Sequence, residues 1–181
     1  MTSSIRQAYR DHPGGASGWY AERGSSYRNP HEAGVRAMLA RFAGRIGEGR
    51  VLDLAAGSGE VTLALVELGI PLDRIDAHDP FTADAYRARV GRDCGRLSFE
   101  ALPDQLEGRW SAVVCSMALH LCERSRLPVV ASTLARCADR LLVLTPHKRP
   151  EIRASWGWGL EDERYDAVER VRGRWYRSVL A

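Results

Sequence analysis

The stretch Val51-Leu52-Asp53-Leu54-Ala55-Ala56-Gly57-Ser58-Gly59-Glu60 constrains this chain more than any other. Val51 to Leu54 is a short apolar run with an acid, Asp53, at its end, and Ala55 to Gly59 contains only small residues. From Glu60 to Leu68 apolar residues recur at helical spacing: Val61, Leu65 and Leu68, with Leu63, Ala64 and Val66 widening the stripe. A buried strand, a turn of small residues and a helix form the βα unit of a nucleotide-type site. The small residues let the backbone approach a ligand closely, and the start of a helix presents N–H groups with no partner inside the helix.

Two ligand classes fit this turn poorly. A dinucleotide fingerprint needs a third glycine for close helix packing, and Thr62 stands there. No Gly-Lys-Ser/Thr follows, as a P-loop requires. A carboxylate at the strand end repels pyrophosphate but suits a cationic amine. The stretch resembles motif I of the class I methyltransferases, an acid followed by alternating glycines, with Ala55 at the first glycine position. The resemblance implies that Asp53, Ala55, Ala56, Gly57, Ser58 and Gly59 hold S-adenosyl-L-methionine, with Asp53 against its ammonium group.

The rest of the chain is consistent with one domain. Its 181 residues suffice for a single core, with 45% hydrophobic and 27% charged residues. No apolar run reaches the ~20 residues that cross a bilayer, and Met1 to Arg6 lacks the apolar stretch of a signal peptide, so a cytoplasmic protein with no membrane partner is expected. The net charge is +3, Lys148 is the only lysine, and no dense basic run marks a nucleic-acid surface. Cys94, Cys115, Cys122 and Cys137 form no Cys-x-x-Cys pair, so free thiols are expected and no metal site.

Residues 1–29 are rich in Gly, Ser and aromatics and read as an irregular arm with a short helix near Ile5; residues 30–181 read as the catalytic domain. Asn29 and Pro30 suit the cap and first position of a helix whose face carries Val35, Met38, Leu39, Phe42 and Ile46. A second strand, Arg74 to His78, ends at Asp79-Pro80, twenty residues beyond Gly59, the chain length that two adjacent parallel strands joined by a helix require. A helix follows from Phe81 to Val90, then a third strand from Arg96 to Ala101, a fourth from Ser111 to Ser116, a helix from Arg124 to Asp139 capped by Ser125, and a fifth strand from Arg140 to Thr145. In that last helix Val129, Val130, Leu134 and Cys137 are expected to face the sheet. Trp156 to Val179 reads as two strands turning near Tyr165-Asp166, the second alternating as a half-exposed strand. The expected fold is α/β, a doubly wound, mostly parallel seven-stranded sheet with helices on both faces and a C-terminal antiparallel hairpin.

In such sheets ligands lie beyond the carboxyl ends of the strands. The resemblance implies that Asp79 takes the ribose hydroxyls, with Pro80 and Phe81 beside it. It also implies that Ala101 and Leu102 edge the adenine, with Asp104 near its amine. Ser116 and Met117 follow a strand end and are expected on the same edge, and Tyr20, Tyr27 and Asn29 are candidates to close over the cofactor as an N-terminal lid. His120 is the candidate catalytic base and His147 the second candidate; imidazole titrates near the pH of such chemistry. No Asn/Asp-Pro-Pro-aromatic box follows the fourth strand, the chain has no Pro-Cys nucleophile, and one lysine precludes a Lys-Asp-Lys-Glu tetrad. Transfer to a small-molecule acceptor is therefore expected. The alternatives are an RNA or protein methyltransferase using Arg170, Arg172 and Arg174 on phosphates, and a catalytically silent binding module. Trp156, Trp158, Trp175 and Tyr176 are read either as a stacking surface or as packing of the hairpin.

Overall fold

The computed structural model describes residues 11–26 and 28–180. Its strands are β1 (Val51–Leu54), β2 (Ile75–His78), β3 (Trp110–Ser116), β4 (Ala138–Thr145), β5 (Trp158–Asp166) and β6 (Val171–Ser178). Its α-helices are α1 (Gly15–Arg23), α2 (Glu32–Ala40), α3 (Glu60–Glu67), α4 (Ala83–Val90), α5 (Leu102–Gln105) and α6 (Leu127–Cys137). The strands form one six-stranded sheet in the order β2-β1-β3-β4-β6-β5. The first four of these run parallel, and β6 pairs antiparallel with both β4 and β5.

Strand alternation divides the core into two layers. Leu52, Leu54, Val113, Cys115, Leu141 and Val143 point to one face, under Leu102 of α5 and Leu127, Val130 and Leu134 of α6. Val51, Val114, Leu142, Leu144 and Trp175 point to the other, under Val35, Met38 and Leu39 of α2 and Val61 and Leu65 of α3. Both faces are thus covered, as expected of a doubly wound sheet.

The strand expected over Arg96–Ala101 does not form, and among the described residues the sheet has six strands rather than seven. Only Gly95 reaches the sheet, in a single parallel bridge to His78. Downstream the chain is already turning: the Ser98 hydroxyl accepts from Ala101 N–H at 3.3 Å, and the Ser98 carbonyl accepts from Leu102 N–H at 3.0 Å. The segment has no β-branched residue to favour extension over that turn.

Other boundaries move for local reasons. The arm, expected to be irregular, contains α1; tertiary contact outweighs its glycine content, with Tyr20 stacked on Phe81 at 6.2 Å. Tyr27 and the helix expected near Ile5 lie outside the described residues. The Asn29 side chain accepts from His31 N–H at 2.9 Å, so α2 begins after His31 rather than at Pro30. Ser125 does not cap α6: its hydroxyl turns to Glu123. The helix begins at Leu127 and passes straight into β4 at Ala138. Val129 lies on the solvent side and is 41% exposed.

The hairpin turn falls after Asp166, whose Oδ1 accepts from Val168 and Glu169 N–H, and Arg170 takes a φ of 56° there. β6 is largely buried rather than half-exposed, because it is an interior strand covered on both faces. The packing reading holds for Trp158 and Trp175. Trp158 donates to the Ala131 carbonyl at 2.8 Å, and Trp175 stacks on Phe42. Arg174 cannot serve RNA phosphates: it is 3% exposed and spends its guanidinium on Glu163 and on the carbonyls of Lys148 and Pro150. Arg172 is likewise paired with Glu163.

Candidate active site

The strand order reverses between β1 and β3, and both of those strands are followed by a residue with left-handed backbone. Ala55, the residue after β1, has a φ of 59°, and Met117, the residue after β3, has a φ of 55°. Side chains other than glycine pay to occupy this left-handed region, and such residues gather where a ligand is cradled. Gly57 follows at a φ of 60° and Gly59 at 91°. A β-carbon on Gly59 would run into the Val90 side chain, so this glycine lets α3 and α4 pack closely and does not face a ligand.

Asp79 ties the turn to β2. One oxygen accepts from Gly57 N–H at 3.1 Å, and the other accepts from Phe81 N–H at 2.9 Å and Thr82 N–H at 2.8 Å. A carboxylate has about four acceptor positions, so Asp79, a cavity-lining residue, keeps room for a further donor.

A cavity of about 330 Å³ opens at this switch point. Leu54 to Gly57 form its floor; Asp79 to Thr82, Leu97 to Glu100, and Ser116 to Ala118 with Leu121 form its walls. Gly14, Tyr20 and Asn29 of the N-terminal segment cover it. Three carboxylates, Glu60, Asp79 and Glu100, belong to this lining. The buried Ser116 hydroxyl, also in the lining, has no hydrogen-bond partner. Of the residues expected here, Ala55, Ala56, Gly57, Asp79, Pro80, Phe81, Ser116 and Met117 are brought together as the sequence implied.

Asp53 is not, and its expected contact with an ammonium group is corrected. Its side chain points under the turn and is 0% exposed. Oδ2 accepts from Thr62 N–H at 3.1 Å and from the Thr62 hydroxyl at 2.7 Å. The carboxyl group is thus a buried cap on the first turn of α3. Its Oδ1 has no partner, and burial pushes its pKa up to about 7.

Ser58 is also corrected. It is fully buried and its hydroxyl donates to Glu60, as does its N–H. Leu102 is 0% exposed within the core, and Ala101 packs against the same cluster; Asp104 is exposed. Without the expected strand the chain turns early, so Leu97 to Glu100 take the wall expected of Ala101 and Leu102.

His120 and His147 follow β3 and β4 and meet edge to face, ring centroids 4.6 Å apart. His120 belongs to the loop whose Met117, Ala118 and Leu121 line the cavity, and His147 meets it from the loop after β4; neither histidine is itself a lining residue. Cys94, Cys115 and Cys122 are buried, and burial raises each thiol above its usual pKa, which makes them poor nucleophiles.

Glu60 was missed by sequence reasoning. It is 4% exposed, accepts from Asn29 N–H at 3.1 Å, and is approached by Arg89 at 3.3 Å. It joins the N-terminal segment to the turn. Its signal, an acid in the first helical turn, is also the ordinary complement of a helix dipole.

The chain is similar along its length to Uncharacterized protein C17A5.05c of Schizosaccharomyces pombe, 31% identical in an alignment that covers 98% of this chain and 96% of that protein. Among solved structures it resembles magnesium protoporphyrin IX methyltransferase (ChlM) from Synechocystis PCC 6803 with bound SAM, at a TM-score of 0.63 and 15% identity over 96% of this chain and 95% of that one. The chain belongs to the family of the yeast protein and has the class I methyltransferase fold. The CcbJ methyltransferase from Streptomyces caelestis shares this class I fold with a TM-score of 0.61 and 13% identity, over 86% of this chain and 98% of its own. So does a putative RNA methyltransferase, PH1948 from Pyrococcus horikoshii, with a TM-score of 0.61 and 14% identity over 84% and 86%. No protein-family model matches the chain. Among the described residues no helix is long and apolar enough to cross a membrane.

Proposed function

We propose that the protein is an S-adenosylmethionine-dependent methyltransferase acting on a small-molecule acceptor. The observation that carries this reading is the lining of the switch-point cavity. It combines a glycine turn in left-handed geometry, three carboxylates and the unpartnered Ser116 hydroxyl. A donor with an ammonium group, ribose hydroxyls and an adenine, and without phosphate, fits that set. Asp79 takes the ribose, the Ala55–Gly57 backbone and Glu60 take the amino-acid end, and Leu97 and Phe99 flank the ring. Gly14, Tyr20 and Asn29 act as a cover, fastened through Tyr20 on Phe81 and Asn29 on Glu60.

When bound, the donor supplies a methyl carbon on a sulfonium, and the electron pair of the breaking C–S bond returns to sulfur. The protein's part is to orient the acceptor in line and exclude water. An acceptor that loses a proton on methylation needs a base, and His120, steadied by His147, is the one assigned. Titration calorimetry should show heat of binding for S-adenosylhomocysteine and none for NAD; the reverse result overturns the proposal. His120→Ala should leave S-adenosylhomocysteine affinity within about twofold and lower turnover by about 10²-fold or more. Turnover unchanged in that variant would remove His120 from the chemistry.

A further inference from the structure

Resting on that reading, we propose that the methyl acceptor is a small anion, bearing a carboxylate or phosphate, gripped by a rim of cations beside the mouth of the cavity. The rim is built from two loops. One, residues 117–126, follows β3, lines the cavity with Met117, Ala118 and Leu121, and carries Arg124 and Arg126. The other, residues 146–153, follows β4 and carries Lys148, Arg149 and Arg153. The loops touch through the His120–His147 ring contact, and Ile152 of the second is buried in the same cluster as Leu119 and Cys122 of the first.

All five cations are exposed, and no acidic side chain lies within ion-pairing distance of any of them among the described residues. Glu123 and Glu151 are the acids on these loops. The resulting excess equals the chain's whole formal net charge of +3. Elsewhere arginines such as Arg45, Arg89 and Arg177 are neutralised by ion pairs. Unpaired cations concentrated beside a cleft raise the local concentration of anions, and guanidinium groups match carboxylate and phosphate geometry.

The second loop is also held from within. The buried Arg174 donates to the Lys148 carbonyl at 2.6 Å and to the Pro150 carbonyl at 3.0 Å, and is itself paired with Glu163. His147 N–H donates to the Thr145 hydroxyl at 3.1 Å. The loop's backbone is therefore fixed while Lys148 and Arg149 are exposed and Arg153 lies over the Trp156 ring at 5.4 Å, which lowers the cost of ordering them around a ligand. A nucleic acid would need a longer unpaired track for its backbone, and the ion pairing of Arg172 and Arg174 breaks the nearest extension along β6.

The test uses the full chain saturated with S-adenosylhomocysteine. Citrate and inorganic pyrophosphate are titrated calorimetrically at low ionic strength, and a short oligouridine in parallel. The wild type should bind at least one of the two small anions. The double variants Arg124→Gln/Arg126→Gln and Lys148→Gln/Arg149→Gln should each weaken that binding by about tenfold or more, while Arg109→Gln, whose arginine pairs with Asp139, should leave it unchanged. Affinity for S-adenosylhomocysteine should be the same in all four proteins. Failure of both anions to bind, or equal binding by the rim variants, overturns the inference. Tighter binding of the oligouridine with a steep salt dependence overturns it in favour of RNA. Loss of S-adenosylhomocysteine binding in the wild type would instead strike the donor-site reading, so the two failures are distinguishable.

Discussion

Asp53→Asn is expected to remove a pH dependence from the protein's stability. In the folded chain burial holds the Asp53 pKa at about 7, against about 3.9 in an unfolded chain. Between those values the folded state keeps a proton that the unfolded state releases, so stability falls as pH rises through this window and levels off above it. At 1.36 kcal/mol per unit, the fall amounts to on the order of 4 kcal/mol from about pH 4 to about pH 8. The asparagine carries no such proton. Its side-chain oxygen can still accept both Thr62 groups that Asp53 Oδ2 accepts now. Urea unfolding of the two proteins at each end of the range measures the difference, and the variant should gain on wild type as pH increases. Parallel stability profiles would mean that Asp53 is ionised in the fold.

The other large effect belongs to Asp79. Replacement by alanine deletes the acceptor for Gly57, Phe81 and Thr82 N–H together with the group assigned to the ribose. Hydrogen bonds to a charged group contribute about 1.5–3 kcal/mol each. Affinity for S-adenosylhomocysteine should therefore fall by at least that amount, about 10- to 100-fold. Thermal stability should fall as well, because the cap on the β2–α4 turn is lost. An Asp79→Ala protein that melts lower yet binds S-adenosylhomocysteine like wild type would confine Asp79 to the turn.

These two acids show what could be read from the chain and what could not. Asp79 was legible because strand, helix and strand need a fixed length of chain, and the spacing from Gly59 reports it. Asp53 was misread because β1 is buried on both faces. An apolar run of four residues carries no alternation to say which way its one polar side chain points. The turn after β1 was legible from its small residues, although only the backbone geometry separates Gly57, at the cavity, from Gly59, at the helix contact. The wall at Leu97–Glu100 was misplaced because a turn closed by the Ser98 hydroxyl outcompeted a strand that had no β-branched support. α1 was overlooked for the opposite reason, since its glycines argue against a helix until the aromatic stack with Phe81 is seen.

One consequence follows from the sheet's abbreviated margin. Among the described residues β2 has no outer neighbour beyond the bridge to Gly95, so the cavity wall between residues 96 and 101 is fastened by side chains and a turn instead of a ladder. Its length and course are therefore uncoupled from the register of β1, β3 and β4. Descendants of this chain can remodel that side of the nucleoside compartment by insertion or deletion and leave the scaffold beneath it untouched.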